Sequence, residues 1–256
     1  MKQDFDHIAA SYDADFTHSL IGSAQREVVY RFLKKYMTAF SGLEVLELNC
    51  GTGADAEWLA NQNATVTATD ISPEMVSITQ KRSGNISASV LDIKELKEAF
   101  PTKRFDVVFS NFGGLNCLNE KDLEIALEAI KNKLKVGGKA FLVIMPDACR
   151  WETRYFLSKG KFSEAFRRKN KQGVEANVDG VKVRTWYYSP AWISEHSSMK
   201  TMAIHPVGSY LPPSYLEPFV QKHPRFFQRL ERMERRKENS EKAAARSDHF
   251  FIYLQR

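Results

Sequence analysis

The strongest constraint on this chain is a regular alternation of short β-prone runs with helical stretches. "LEVLEL", "ATVTATD", "ISASVLD", "FDVVFSN" and "GKAFLVIM" are apolar or β-branched, and the gaps between them leave room for helices. "ADAEWLANQ", "SPEMVSITQKR" and "EKDLEIALEAIKNKLKVGG" carry the helical pattern. Ser72 is placed to cap the second helix with Pro73 at its first position, and Gly137-Gly138 is expected to end the third. Strand–helix alternation of this kind predicts an α/β, doubly wound, mostly parallel sheet. Its ligand should sit beyond the carboxyl ends of the strands.

The flanks differ. Phe5 to Phe40 carries two helical stretches, of which "AQREVVYRFLKKYM" is amphipathic. After Met145 the alternation stops, and the chain becomes aromatic and basic from Asp147 to Asp179. A strand "VKVRTWYYS", a short helix from Pro190, a strand "KTMAIHPVGSY" and a long basic helix follow. "DHFFIYLQR" closes the chain as a candidate buried strand. There are no repeats and no low-complexity linker.

Composition excludes several classes. With 43% hydrophobic and 27% charged residues the chain is ordinary globular material. No apolar run approaches the roughly 20 residues of a spanning helix. The start, "MKQDFDHIAA", has acids where a secretory leader needs a basic start, and the 3 cysteines are odd in number and scattered. Cytoplasm is the expected location. The net charge of +6 does not by itself indicate nucleic acid, because much of the excess lies in "RFFQRLERMERRKENSEKAAAR", where acids are interspersed at helical spacing. "RRKNK", Arg167 to Lys171, lacks such acids and is the better candidate for contact with an acidic head group or a membrane surface.

"VLELNCGTGADAEWLA", Val45 to Ala60, is a strand, a glycine loop and a helix start, an element whose free N–H groups favour anionic or nucleotide ligands. Gly51-x-Gly53-x-x-Ala56 also fits the dinucleotide fingerprint, so the loop alone leaves the ligand open. Three acids narrow the choice. Glu47, at the end of the first strand, should repel a pyrophosphate and suit a cationic group, which disfavours NAD. Asp70 ends the second strand, where ribose hydroxyls are read. Asp92 ends the third, where an acid can accept from an adenine amine.

These residues resemble the class I S-adenosylmethionine-dependent methyltransferases, in the small-molecule, quinone-methyltransferase-like branch. The likeness covers Phe5 to about Met145, and the tail in architecture only. "LELNCGTG" looks like the family's first motif, "ATDISPEM" its second, "LDI" the adenine-side acid and "FDVVFSNFGGLNCL" the fourth strand with its loop. "LKVGGKAFLVIM" looks like the strand after a Gly-Gly turn. The resemblance implies a Rossmann-like sheet of seven strands with an antiparallel C-terminal strand and helical lid insertions. It implies one methyltransferase domain over 1–256: a helical lid at 1–40, a cofactor-binding core at 41–146, a substrate-lid insertion at 147–180, and C-terminal strands with the basic helix at 181–256. The implied cofactor is S-adenosyl-L-methionine. By position, Glu47, Gly51 and Gly53 would hold its methionine moiety and Asp70 its ribose. Ile71, Met75, Asp92 and Ile93 would frame the adenine, Asn111 and Phe112 would lie near the sulfonium, and Tyr12 in "FDHIAASYD" would cover the methionine end. Asn49 stands where the family usually has its first loop glycine; Asn is the non-glycine residue best tolerated at positive φ, and its amide could contact the cofactor.

Methyl transfer from a sulfonium needs alignment and exclusion of water more than an acid or a metal, so a catalytic residue need not exist. If a base assists, His18 and His205 are the candidates. Trp151, Tyr155, Phe156, Phe162, Trp186, Tyr187 and Tyr188 could wall an apolar acceptor pocket, with Arg167 and Arg168 beside it. The expected acceptor is a small apolar or amphipathic molecule. The alternatives are a nucleic-acid methyltransferase, a dinucleotide oxidoreductase and a non-catalytic module that binds the same donor. The first usually carries an Asn/Asp-Pro-Pro-aromatic turn when it methylates adenine, and this chain has "SNFGG".

Overall fold

The computed structural model describes residues 6, 9–82, 84–178 and 181–256. Among the described residues nine strands run in chain order: β1 Glu44–Leu48, β2 Thr65–Asp70, β3 Ile86–Val90, β4 Phe105–Ser110, β5 Leu134–Ile144, β6 Val174–Val178, β7 Val181–Thr185, β8 Lys200–Val207 and β9 His249–Gln255. The helices are α1 Ala9–Tyr12, α2 Leu20–Tyr36, α3 Ala54–Asn61, α4 Pro73–Gln80, α5 Glu120–Lys133, α6 Arg150–Ser158, α7 Phe162–Ala165, α8 Pro190–His196, α9 Glu217–Lys222, α10 Pro224–Arg235 and α11 Glu241–Ala244.

Seven strands form one sheet in the order β3-β2-β1-β4-β5-β9-β8. β1 to β5 pair in parallel, whereas β9 lies antiparallel to both neighbours, β5 and β8. The topology is therefore the Rossmann-like one expected, with the C-terminal strand reversed. Strand order changes direction between β1 and β4, which opens a crevice at their carboxyl ends. β6 and β7 form a separate hairpin.

Alternation along β1 divides the core. Leu46 and Leu48 face a cluster with Phe105, Val108 and Leu142; Val45 faces the opposite cluster, against α2 and α3 residues such as Val29, Leu33, Ala56 and Leu59. Glu47 shares the face of Val45. That parity decides where its carboxyl can go.

Two expectations about element ends need correction. α5 stops at Lys133, and Gly137-Gly138 lies inside β5 rather than after the helix. Pairing with β4 jumps from Phe105↔Leu134 to Val107↔Lys139, so the residues between bulge out. Gly137 takes φ +77°, and a Cβ on Gly138 would stand 2.9 Å from the Lys135 carbonyl oxygen. The glycines therefore terminate nothing; they let the strand kink. The long basic helix is two pieces, α10 and α11, with Ser240 capping the second through the Ala243 amide. Glu234 on α10 is buried and accepts from the amides of Gly208, Ser209, Tyr210 and Leu211 at 2.6–3.1 Å, so this acid ties helix to sheet instead of facing solvent.

Candidate functional site

β1 delivers the chain into a loop with three residues in the left-handed region: Asn49 at φ 53°, Gly51 at φ 54° and Gly53 at φ 79°. Asn49 tolerates its φ as expected and donates from Nδ2 to Ser110 Oγ at 2.7 Å, tying β1 to the end of β4. A Cβ on Gly114 would come within 2.3 Å of the Asn49 side chain, so that glycine makes room for Asn49.

Asp70 closes β2 and organises the loop. Its Oδ2 accepts from the Gly51 amide at 2.9 Å and its Oδ1 from the Ser72 amide at 3.0 Å. Burial pushes its pKa up, and the amides of Ser72, Gly51 and Ile71 pull it part of the way back. Asp92 turns the chain after β3, where its carboxylate accepts from the Lys94 amide at 3.0 Å.

These ends surround a cavity enclosing about 1240 Å³, part of it open solvent. Of the residues singled out by the sequence, Tyr12, Asn49, Gly51, Asp70, Ile71, Met75, Asp92, Ile93, Asn111 and Phe112 all line it. Glu47 and Gly53 do not. Gly53 instead caps α3 and packs on Thr79, where a Cβ would meet Thr79 Cγ2 at 2.6 Å. Glu47 is 1% exposed, with one carboxyl oxygen buried and unpartnered. Burial, reinforced by the Asp55 charge, holds its pKa well above the usual carboxylate range. It lies on the α2/α3 face of β1, outside the cavity's lining.

A buried cation also lines the cavity, at a position not singled out by the sequence. Arg26 on α2 lines it, 9% exposed, and pairs with Asp55 of α3. Tyr30 donates to Asp55 Oδ1 at 2.7 Å and Asn111 Nδ2 donates to Asp55 Oδ2 at 3.0 Å. Burial alone would lower the Arg26 pKa, but Asp55 outweighs it and the guanidinium stays charged. Arg26 also lies 5.3 Å over the Phe112 ring, with its Nε buried and unpartnered. In an amphipathic helix an arginine reads as solvated, so only the neighbouring Asp55 could have flagged it. Thr52, Lys94, Cys117, Met145, Val183 and Thr185 are among the further wall residues beyond the sequence candidates.

The N-terminal segment is fastened over the loop. Asp13 accepts from Thr52 Oγ1 at 2.5 Å and from Arg82 at 2.6 Å, and Arg82 also reaches Glu57 at 2.7 Å. Although burial opposes it, Thr52, Thr17 and Arg82 hold the Asp13 pKa below the ordinary value. Phe5, His7 and Ile8 of the "FDHIAASYD" stretch lie outside the described residues.

The aromatic side chains of the expected substrate lid stand away from this cavity. None of Trp151, Tyr155, Phe156, Phe162, Trp186, Tyr187 or Tyr188 lines the cavity. Trp151 donates to the Tyr210 carbonyl, Tyr155 packs 4.9 Å from Tyr215, Tyr188 donates to the Leu118 carbonyl, and Phe162 is 68% exposed. Arg167 and Arg168 are not free either, because Glu152 takes both. What closes this side is the β6–β7 hairpin, through Val183 and Thr185. Neither histidine candidate reaches the cavity. His18 is exposed at the end of the segment before α2. His205 stacks 4.4 Å from Phe32, donates from Nδ1 to the Glu238 carbonyl and bonds Tyr36 through Nε2. Burial lowers its pKa; it is a neutral core histidine.

Comparison with known proteins agrees with this geometry. A methyltransferase-domain family model matches residues 45–138. An uncharacterised protein of Methanocaldococcus jannaschii is 28% identical over 87% of this chain and 84% of its own. A demethylmenaquinone methyltransferase of Chlorobaculum tepidum is 32% identical over 54% of this chain and 57% of its own, so this chain spans little more than half of that relative. The solved DhpI–SAM–HEP complex superposes with a TM-score of 0.62 at 18% identity, covering 98% of this chain and 94% of that one. The family model spans the glycine loop and strands β1 to β4, so the part of this chain that builds the cavity is similar to a methyltransferase domain, and the solved complex shares its fold.

Proposed function

We propose that the protein methylates a small apolar or amphipathic acceptor by in-line transfer, with the cofactor in the cavity at the ends of β1, β2 and β4. The observation that carries this reading is the polarity of that one cavity. Two carboxylates, Asp70 and Asp92, line it where β2 and β3 end, a buried cation, Arg26, lines it from α2 beside Asp55, and the Asn49–Thr52 loop lines it as well. This pattern complements a ribose-bearing molecule that ends in an amino-acid group. When bound, the cofactor supplies a methyl group already activated by its sulfonium charge.

Asp70 keeps lone pairs beyond those used by the Gly51 and Ser72 amides, and these accept the ribose hydroxyls. Ile71, Met75 and Ile93 give the adenine apolar walls, and Asp92 accepts at its edge. Arg26 holds the carboxylate, and Tyr12 covers the loop from above. Asn111, fixed through Asp55, and Phe112, at φ 45°, set the surface against which the acceptor meets the donor. Asp13 and Arg82 keep the N-terminal cover down on the loop. Alignment with water excluded is worth roughly 7–11 kcal/mol when the geometry is good, and among the described residues no histidine lines the cavity to act as a base. The relatives named for demethylmenaquinone support a small acceptor.

A thermal-shift series tests this. S-adenosylmethionine and S-adenosylhomocysteine should raise the melting midpoint and NAD should not, since a ligand that binds only the folded state stabilises it. Asp70→Ala should weaken product binding by about 2–4 kcal/mol. A shift with NAD alone would overturn the assignment.

A further inference from the structure

A second cavity, of about 860 Å³ with part of it open to solvent, lies between α6, the Arg167–Lys169 turn and the lead-in to β9. Five cations, Arg150, Arg154, Arg168, Lys169 and Arg246, line it against two carboxylates, Asp147 and Glu152. The floor neutralises itself. Arg168 is 6% exposed and bonds Glu152 Oε2 at 3.0 Å, Asp248 Oδ1 at 2.8 Å and the Asp248 carbonyl at 2.9 Å; Glu152 also takes Arg167 at 2.7 Å. Burial by itself would raise the Asp248 pKa, but His249 and Arg168 outweigh it and keep the carboxylate ionised.

The rim is different. Arg150, Arg154, Lys169 and Arg246 are exposed, and among the described residues none of their side chains has an acidic, carbonyl or aromatic partner. Four like charges around one concavity create a positive potential that an anion would relieve, and Asp147 offsets only part of it. Three guanidinium forks and one ammonium match the oxygens of a phosphate better than a single carboxylate does. Position adds the second half of the case. Met145 lines the donor cavity and Asp147 lines this cleft, while the carbonyl of Pro146 between them is held by Arg168 at 3.5 Å. The two cavities open from one turn at the carboxyl end of β5.

We propose that this cleft binds a phosphate-type oxyanion carried by the methyl acceptor, and so anchors the acceptor's head group beside the donor cavity. The anchoring role rests on the methyltransferase reading above; the anion site does not. Of the "RRKNK" cations, Lys169 joins this rim with α6 and Arg246, whereas Arg167 and Arg168 are held by Glu152.

The test is titration calorimetry with inorganic pyrophosphate on the full chain, in parallel with S-adenosylhomocysteine. Arg150→Ser/Arg246→Ser and Arg154→Ser/Lys169→Ser should each weaken pyrophosphate by about tenfold or more, a loss of about 1.4 kcal/mol. The control pair Arg225→Ser/Arg229→Ser on α10, which removes the same charge elsewhere, should leave it within about twofold, and added salt should weaken wild-type binding. S-adenosylhomocysteine affinity should be unchanged in all of them, so failure of the cleft and failure of the donor site are read separately. Pelleting with phosphatidylcholine vesicles, with and without phosphatidic acid, identifies the carrier. Pelleting that needs phosphatidic acid and is lost in both cleft variants supports a lipid-borne phosphate; no pelleting, with pyrophosphate still bound, supports a soluble one. No pyrophosphate binding at millimolar concentration, or an equal loss in the α10 control, would overturn the proposal.

Discussion

Arg26 offers the sharpest separation of structural from functional roles. Arg26→Met removes a buried cation and leaves Asp55, among the described residues, with the Tyr30 hydroxyl and the Asn111 amide for side-chain partners. Stranding one member of a buried ion pair costs about 3–5 kcal/mol of folding stability. Arg26→Met/Asp55→Asn removes both charges while keeping the shape at position 55, and should recover most of that loss, because the desolvation of an unpaired carboxylate disappears. Cofactor binding should not recover. The double variant still lacks the cation that lines the cavity, and one charge-assisted contact is worth about 1.5–3 kcal/mol, or roughly 10- to 150-fold in affinity. Urea denaturation measures the first effect and calorimetric titration of S-adenosylhomocysteine the second. If the double variant binds product as tightly as the wild type, Arg26 does not touch the cofactor. If Arg26→Met costs no stability, the buried pair itself has been misread.

Two further outcomes follow from the same packing. Glu47 has a pKa raised by burial, so its contribution to stability is fully present below the unfolded value near 4.5 and is lost as pH rises through the folded value. Glu47→Gln should therefore gain stability relative to wild type with increasing pH, by about 1.4 kcal/mol per unit of upward shift, and a stability difference that does not vary with pH in urea melts would refute this. Gly53→Ala forces a left-handed φ of 79° and a Cβ into Thr79, so its thermal midpoint should fall sharply; Gly51→Ala meets only Tyr12 Cε1, at 3.7 Å, and should fall less. Equal midpoints for the two would show that the clash with Thr79 is relieved.

Much of the candidate site's wall was legible in the chain because it depends on local order. Asn49, Gly51, Asp70, Ile71, Met75 and Asp92 follow strand ends, and in a parallel sheet all strand ends of one sense meet at one edge. Tyr12 and Phe112 could be placed because they belong to recognisable stretches beside that edge. Glu47 lies off the cavity for a reason also written in the chain, the two-residue period of β1, but which face it would take depended on where α2 and α3 packed. His205 was selected for its residue type alone, and its position between Phe32 and Tyr36 is set by contacts far apart in sequence.

The amino-acid order by itself determined the alternation of strands and helices, the glycine turn and the carboxylates at the strand ends, because each rests on backbone propensity and short-range spacing. Only the tertiary structure decided the partners of buried charges. Arg26 found Asp55, Arg168 found Glu152 and Asp248, and Glu234 found the amides after β8. In water each of these groups would read as surface. Burial makes an unpaired charge costly enough that folding must bring its complement from elsewhere in the chain.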